Sequence, residues 1–101
     1  MRKLLLATTA VALSAGAVSA EDIKIGVILG FTGPIESLTP QMGAAAEMAM
    51  AEVNASGALL DGSTLTSVRG DSTCIDAGAA TAVAERLITS DGVKGIMGAD
   101  C

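Results

Sequence analysis

The chain has 101 residues, 50% of them apolar, with a single aromatic residue, no histidine and a formal net charge of −5 at pH 7. This length allows at most one small domain, and the acidic balance and the lack of aromatic stacking platforms argue against nucleic-acid binding. The absence of histidine excludes histidine-based catalysis and histidine metal sites within this sequence.

The first twenty residues are typical of an export signal. A positive start (Arg2-Lys3) precedes an apolar stretch over residues 4–13, and Val18-Ser19-Ala20 fits a small-x-small cleavage site. We therefore expect cleavage after Ala20 and a mature chain of residues 21–101. An uncleaved membrane anchor is the alternative, but the apolar stretch is about half the roughly 20 residues that a spanning helix needs.

Export changes how the two cysteines, Cys74 and Cys101, are interpreted. An oxidising compartment permits them to form a disulfide, which would restrict the unfolded chain by roughly 3–4 kcal/mol. Two separate buried thiols, or partners outside this sequence, are the alternatives. A zinc site is disfavoured, because two cysteines so far apart and no histidine provide only half of a ligand set.

The first half of the mature chain predicts a strand and a helix. Residues 23–30 are rich in β-branched residues and apolar on both faces, which is typical of a buried strand in a parallel sheet. A helix begins at Thr39-Pro40, with Thr39 as a candidate N-cap, and ends at Gly57. Its predicted buried stripe consists of apolar residues spaced three and four apart: Met42, Ala45, Ala46, Ala49 and Val53.

The second half predicts two more strands around a second helix. The strands cover residues 64–69 and 93–98, and Asp76 is a plausible N-cap for a helix over residues 77–89. The predicted buried stripe of this helix is Ala80, Val83, Ala84, Leu87 and Ile88.

The β-α-β-α-β alternation predicts an α/β fold, a Rossmann-like parallel sheet with right-handed crossovers and the strand order 2-1-3. Cys101 falls where a strand should pass into another loop and helix. We therefore expect the chain to be the N-terminal part of a longer protein.

Several short motifs resemble known sites, and chance is the better account of the adhesion and glycosylation matches among them. Gly26, Gly30 and Gly33 are spaced too widely for a dinucleotide-binding turn, although Asp71 could serve as its ribose partner. Residues 69–71 spell the adhesion tripeptide Arg-Gly-Asp at a predicted strand end. Asn54-Ala55-Ser56 matches a glycosylation acceptor. Glu47 and Glu52 are five residues apart, and we expect both carboxylates to lie on a solvated surface and not to act as an acid/base pair.

Four stretches of the mature chain resemble the periplasmic substrate-binding proteins of branched-chain amino acid ABC importers. They are EDIKIGVILGFTGP (21–34), GAAAEMAMAEVNASG (43–57), DSTCIDAGAATAVAERLI (71–88) and DGVKGIMGADC (91–101). The resemblance implies a type I periplasmic binding protein, whose two Rossmann-like lobes close on a small ligand, with residues 21–101 as the first part of the N-terminal lobe. It also implies periplasmic capture of a small aliphatic amino acid and its delivery to a membrane permease, without catalysis, cofactor or metal.

The ligand is expected beyond the carboxyl ends of the strands, between the loops after strands one and three. By resemblance, Leu38 matches a residue over the ligand that is often aromatic in the family, and Asp100 and Cys101 match residues at the rim. The family often has a disulfide here, so we expect Cys74 and Cys101 to be bonded, with their loops leaning over the end of strand one to bring the Cα atoms within about 7 Å. A sensor or receptor of the same fold for amides or urea is the alternative function, and a dinucleotide-dependent enzyme is a third.

Overall fold

The computed structural model describes residues 19–101. Only the last two residues of the predicted leader are therefore among the described residues, and the leader prediction lies otherwise outside them. The elements in chain order are β1 (Asp22–Leu29), α1 (Thr39–Ser56), a short 3-10 turn (Leu60–Gly62), β2 (Thr64–Asp71), α2 (Ala77–Thr89) and β3 (Gly95–Met97).

The three strands form one parallel sheet with the order β2-β1-β3, which confirms the predicted α/β topology. β1 and β2 pair over eight residues, and β3 pairs with β1 over three. The third strand is shorter than the predicted 93–98. At its start, the Val93 N–H donates to the Leu87 carbonyl of α2 at 3.1 Å instead of pairing with β1.

The contact between α2 and the sheet is apolar. Leu87 is fully buried over β1, where a Cβ added to Gly26 would lie 3.0 Å from the Leu87 Cδ1. A Cβ added to Gly70 of β2 would lie 2.5 Å from the Val83 Cγ2. The two glycines therefore let the helix approach the sheet closely. The prediction that Ile88 belongs to the buried stripe is wrong, because Ile88 lies on the outer side of α2 and is 58% exposed.

The N-terminus of α2 is the capped end that the sequence predicts. Asp76 has an extended backbone, and its Oδ1 accepts hydrogen bonds from the N–H groups of Gly78 at 2.8 Å and Ala79 at 3.1 Å. These are donors that an uncapped helix would leave without partners.

The contact between α1 and the sheet is polar, and the predicted apolar stripe of this helix is wrong. Thr39 and Gly43 are the buried residues, and Glu47 and Asn54 face β2. Of the predicted stripe only Ala46 is half-buried, and the remaining members are exposed: Met42, Ala45, Ala49 and Val53. The reason lies in β2, which presents Ser67 and Arg69 to this helix.

The predicted role of Thr39 as an N-cap is also wrong. Leu38 occupies the N-cap position, without a side-chain capping bond. The Thr39 hydroxyl instead donates to the Gly30 carbonyl at 2.9 Å, and the Thr39 residue is fully buried. Gly57 ends the helix in the left-handed conformation, with φ 64°, as predicted. Within residues 19–101 neither helix is both long and apolar enough to cross a membrane.

Candidate functional site

Three segments meet at the carboxyl edge of the sheet, because the strands are parallel and all end on the same side. They are the β1–α1 loop (residues 30–38), the β2–α2 loop (residues 72–76) and the segment after β3 (residues 98–101). We call this region the carboxyl edge. It is where an open parallel sheet places a ligand.

Gly30 connects the parts of the carboxyl edge. Its N–H donates to the Asp100 Oδ1 at 3.1 Å, and its carbonyl accepts from the Thr39 hydroxyl. A Cβ at this position would lie 3.0 Å from the Cβ of Cys74. Glycine is therefore the residue that lets the β2–α2 loop lie against the end of β1.

The structure joins Cys74 and Cys101 in a disulfide that closes a separation of 27 residues, with 5.5 Å between the two Cα atoms. The close approach of Cys74 to Gly30 shows that the loops lean over the end of β1, which is the arrangement that the strand spacing requires. The disulfide thus covalently links the loop after β2 to the segment after β3.

Thr73 and Cys74 both have left-handed backbones, with φ values of 59° and 70°. Such conformations cost about 1–3 kcal/mol per residue and persist only where the surroundings hold them. Here the Asp71 Oδ1 accepts a hydrogen bond from the Thr73 N–H at 2.9 Å, and the disulfide holds Cys74.

The Asp71 carboxylate also binds the β1–α1 loop. It accepts hydrogen bonds from the Thr32 N–H at 3.2 Å and from the Thr32 hydroxyl at 2.6 Å. These bonds favour the ionised form, and the hydroxyl bond contributes most to holding the pKa of Asp71 below its ordinary value. The chain's own donors therefore occupy the carboxylate that a dinucleotide would need for its ribose.

The residues predicted for ligand binding all lie at the carboxyl edge. Leu38 is 60% exposed at the start of α1, one residue before the buried Thr39. Asp100 is half-buried, with Oδ1 bonded to Gly30 and Oδ2 without a partner among the described residues. Cys101 is exposed and linked to Cys74. The residues predicted for the site thus combine the exposed apolar side chain of Leu38 with a polar rim.

A cavity of about 280 Å³ opens on the α2 side of the disulfide. It is lined by Ser72, Cys74, Ile75, Asp76, Ala77, Ala80 and Cys101. Neither Leu38 nor Asp100 belongs to this lining, so the cavity and the predicted ligand position share only the disulfide. We take the meeting point of the loops as the candidate site, because it contains both of these residues.

A second group of residues was missed by the sequence interpretation. The Arg69 guanidinium bonds both oxygens of Glu47, at 2.7 and 2.9 Å, and lies 5.0 Å from the centre of the Phe31 ring. The hydrogen bond from Arg69 holds the pKa of Glu47 below its ordinary value. The Glu47 side chain is 37% exposed, in keeping with the predicted surface position, but its carboxylate is paired with Arg69. The usable signal was the alternation along β2, which places Arg69 and Asp71 on one face.

The structure also explains two of the chance motifs. The Arg-Gly-Asp tripeptide lies within β2 and its Gly70 is buried, so it does not form the exposed loop tip of an adhesion signal. The Asn54 amide of the glycosylation motif donates to the Leu65 carbonyl at 2.9 Å, and its oxygen accepts from the Leu65 N–H at 2.7 Å. Asn54 therefore joins α1 to β2.

Comparisons with known proteins identify a family for the chain. A family model described as "Periplasmic binding protein" matches residues 22–100. The chain is 39% identical over 99 residues to the Leu/Ile/Val-binding protein homolog 7 of Brucella abortus (strain 2308), which is 97% of this chain and 24% of that protein.

Two enterobacterial proteins are similar over most of the chain. The Leu/Ile/Val-binding protein of Escherichia coli (strain K12) is 38% identical over 82 residues, and the Leu/Ile/Val/Thr-binding protein of Salmonella typhimurium (strain LT2) is 37% identical over 82 residues. In both cases the match covers 81% of this chain and 22% of the relative. The chain thus spans about a quarter of the length of the curated relatives it matches.

Proposed function

The chain belongs to the periplasmic binding protein family, and from this membership we propose that the protein binds a small aliphatic amino acid, such as leucine, isoleucine or valine. The observation that carries the proposal is the identity of 37–39% to three relatives whose names state that they bind these amino acids or are homologous to such a binder. The bound amino acid would pass to the membrane permease of an ABC importer. No catalytic step is part of this function.

The ligand's place in the proposal is the carboxyl edge, with the Leu38 side chain as an apolar wall and with Asp100 and Cys101 at the rim. The exposure of Leu38 supports this assignment, because a large apolar side chain facing water gains free energy when a ligand covers it. The hydrogen bonds at Gly30 and Asp71 support it as well. They order the loops before binding, which lowers the entropic cost of association.

The domain arrangement is also part of the proposal. Residues 1–20 would direct export to the periplasm and be removed after Ala20, and residues 21–101 would form the first part of the N-terminal lobe. The chain matches about a quarter of the length of its relatives, which supports this arrangement. The other three quarters of each relative are long enough for the rest of that lobe and for a second one. An intact mass of the periplasmic protein that starts at Glu21 is the expected result, and a soluble protein that retains residues 1–20 would contradict it.

Titration calorimetry on the intact protein tests the binding proposal. We expect heat of binding with at least one of leucine, isoleucine and valine, and a Leu38→Ala variant that binds about tenfold more weakly, as expected for the loss of part of a buried leucine. Leu60→Ala is the matched control, because Leu60 is 65% exposed but precedes β2 at the opposite edge of the sheet.

Three results would contradict this account of binding. No heat with any aliphatic amino acid would overturn the proposed ligand class. Heat with acetamide or urea in their place would favour the sensor or receptor for amides. An equal loss of affinity in the Leu38→Ala and Leu60→Ala variants would overturn the proposed position of the ligand.

A further inference from the structure

We propose that Asp71 is a positioning residue for ligand binding, whose carboxylate holds the β1–α1 loop in the shape that presents Leu38 to the ligand. The inference rests on the proposed function, because it requires the ligand to meet this loop. Asp71 itself does not touch the ligand in this account.

One carboxylate holds two loops together. The Asp71 Oδ2 accepts from the Thr32 hydroxyl at 2.6 Å, while Oδ1 accepts from the Thr32 N–H at 3.2 Å and the Thr73 N–H at 2.9 Å. Bonds to an ionised acceptor are roughly twice as strong as bonds between neutral groups. The loop after β1 and the loop after β2 are therefore fixed to each other at the last residue of β2.

A chain of turns carries this restraint from Thr32 to Leu38. The Gly33 carbonyl accepts from the Glu36 N–H at 3.2 Å, and the Ile35 carbonyl accepts from the Leu38 N–H at 2.9 Å. Gly33 has φ 98° and lies directly against the Thr73 carbonyl, where no larger residue fits. A shift at Thr32 must therefore move the turns that set the direction of the Leu38 side chain.

The neighbouring residue of the loop is held from the same face of β2. Arg69 stands two residues before Asp71, and its guanidinium lies over the Phe31 ring while it bonds Glu47 of α1. Arg69 thus holds Phe31, and Asp71 holds Thr32. Asp71 is the better test of the two, because asparagine has nearly the same shape but no charge, so its bonds to Thr32 and Thr73 are weaker than those of the carboxylate.

The expected effect on affinity follows from population arithmetic. If only a fraction of the molecules has the loop in its binding shape, the apparent dissociation constant rises by the inverse of that fraction. Replacing the charged acceptor of these hydrogen bonds by a neutral one weakens them by roughly half, which corresponds to about a tenfold change in such an equilibrium. We expect Asp71→Asn to weaken leucine binding by about this factor.

The experiment uses the intact protein, L-leucine titrated by calorimetry, and hydrogen exchange of the residue 30–38 amides without ligand. We expect Asp71→Asn and Thr32→Val each to weaken binding and to speed exchange in the loop, and the double variant to be no worse than either single variant. Thr32→Ser keeps the hydroxyl and should restore both properties. Asp76→Asn is the matched control, because Asp76 lies in the next loop and bonds only its own helix, where asparagine caps equally well.

Four results would overturn the inference: unchanged loop exchange in Asp71→Asn and Thr32→Val, additive losses of affinity in the double variant, Thr32→Ser behaving like Thr32→Val, or an equal loss in Asp76→Asn. Failure of the proposed function looks different. Wild-type protein that gives no heat with leucine, isoleucine or valine would overturn that function and the ligand part of the inference, while exchange would still decide whether Asp71 holds the loop.

Discussion

The two helices pack on the sheet in opposite ways. α2 packs through Leu87 and the half-buried Val83, which lie against Gly26 of β1 and Gly70 of β2. α1 packs through Glu47 and Asn54, which bond the Arg69 side chain and the β2 backbone, and leaves most of its own apolar stripe in solvent. Both helices have bounds that the sequence predicts, so the difference lies in which face each turns to the sheet.

This contrast shows that the strand decides which face of the helix is buried. Along β2, Val68 and Gly70 point toward α2, and the alternating Ser67 and Arg69 point toward α1. The Arg69 side chain carries its charge on the α1 side of β2, where it is half-exposed and pairs with the Glu47 carboxylate at 2.7 Å. Glu47 therefore faces the sheet even though an apolar stripe is present elsewhere on α1.

Leu87→Ala should have the largest effect on the α2 contact. Removing a fully buried leucine side chain costs about 2–5 kcal/mol of unfolding free energy, because the cavity collapses only in part. Chemical denaturation of the intact protein measures the loss. Ile88→Ala is the control, since its side chain is an isomer that is 58% exposed, and an equally large loss there would contradict the assignment of the buried face.

Gly70→Ala and Gly43→Ala compare how closely each helix approaches the sheet. The new Cβ at Gly70 would meet the Val83 Cγ2 at 2.5 Å, so we expect a loss of about 1–3 kcal/mol. At Gly43 it would meet the Arg69 guanidinium and the Phe31 ring at a looser 3.2 Å, and the helix propensity of alanine offsets this by about 0.5–1 kcal/mol. Thermal unfolding checks the ranking. A Gly43→Ala loss as large as that of Gly70→Ala would contradict it.

Asn54→Ala tests the polar α1 contact directly. The substitution removes both hydrogen bonds to Leu65 and should cost about 1–2 kcal/mol, because the half-buried backbone groups lose their partners. Asn54→Asp keeps the acceptor and should lie between alanine and the wild type in denaturation midpoint. If the alanine variant is as stable as the wild type, the amide does not hold α1 to β2.

The smallest expected effect is a difference in pH dependence between the polar contact of α1 and the apolar contact of α2. The pKa of Glu47 is lowered in the folded protein, so its ion pair stabilises the fold above the unfolded carboxyl pKa of about 4.3, and this contribution disappears as the pH falls through the folded pKa. Glu47→Gln should therefore lose less than about 1 kcal/mol at neutral pH, since the pair is exposed, and progressively less as the pH falls through the folded pKa of Glu47. The Leu87→Ala loss should stay constant, and equal pH dependence in both variants would contradict the contrast.

The sequence predicted the elements better than their contacts. α2 was predicted with its bounds, its cap and most of its buried face, because Asp76 is a strong local signal and its apolar residues form one stripe. α1 has alanines and methionines on several faces, so periodicity could not identify the side that faces Arg69. Prediction of the site was limited in a similar way. The resemblance to a family placed Leu38, Asp100 and Cys101 at the carboxyl edge but gave none of the hydrogen bonds between its loops.

The bonds that order the edge could not be predicted, because they join residues far apart in the chain. Gly30 and Asp100 are 70 residues apart, and Thr32 and Asp71 are 39 apart. No local pattern predicts which carboxylate meets which amide once the strands are paired. The register of β1 against β2 is the missing information, since it brings Leu29 beside Asp71 and so places Thr32 within reach.

A crystal structure of the intact protein with bound L-leucine tests the central claim most directly, namely that the carboxyl edge is where a solute binds. The account predicts the ligand beyond the ends of β1 and β3, with its side chain in contact with Leu38 and with Asp100 and Cys101 beside it. Leucine bound away from these residues, for example on the exposed face of α1, would contradict the account.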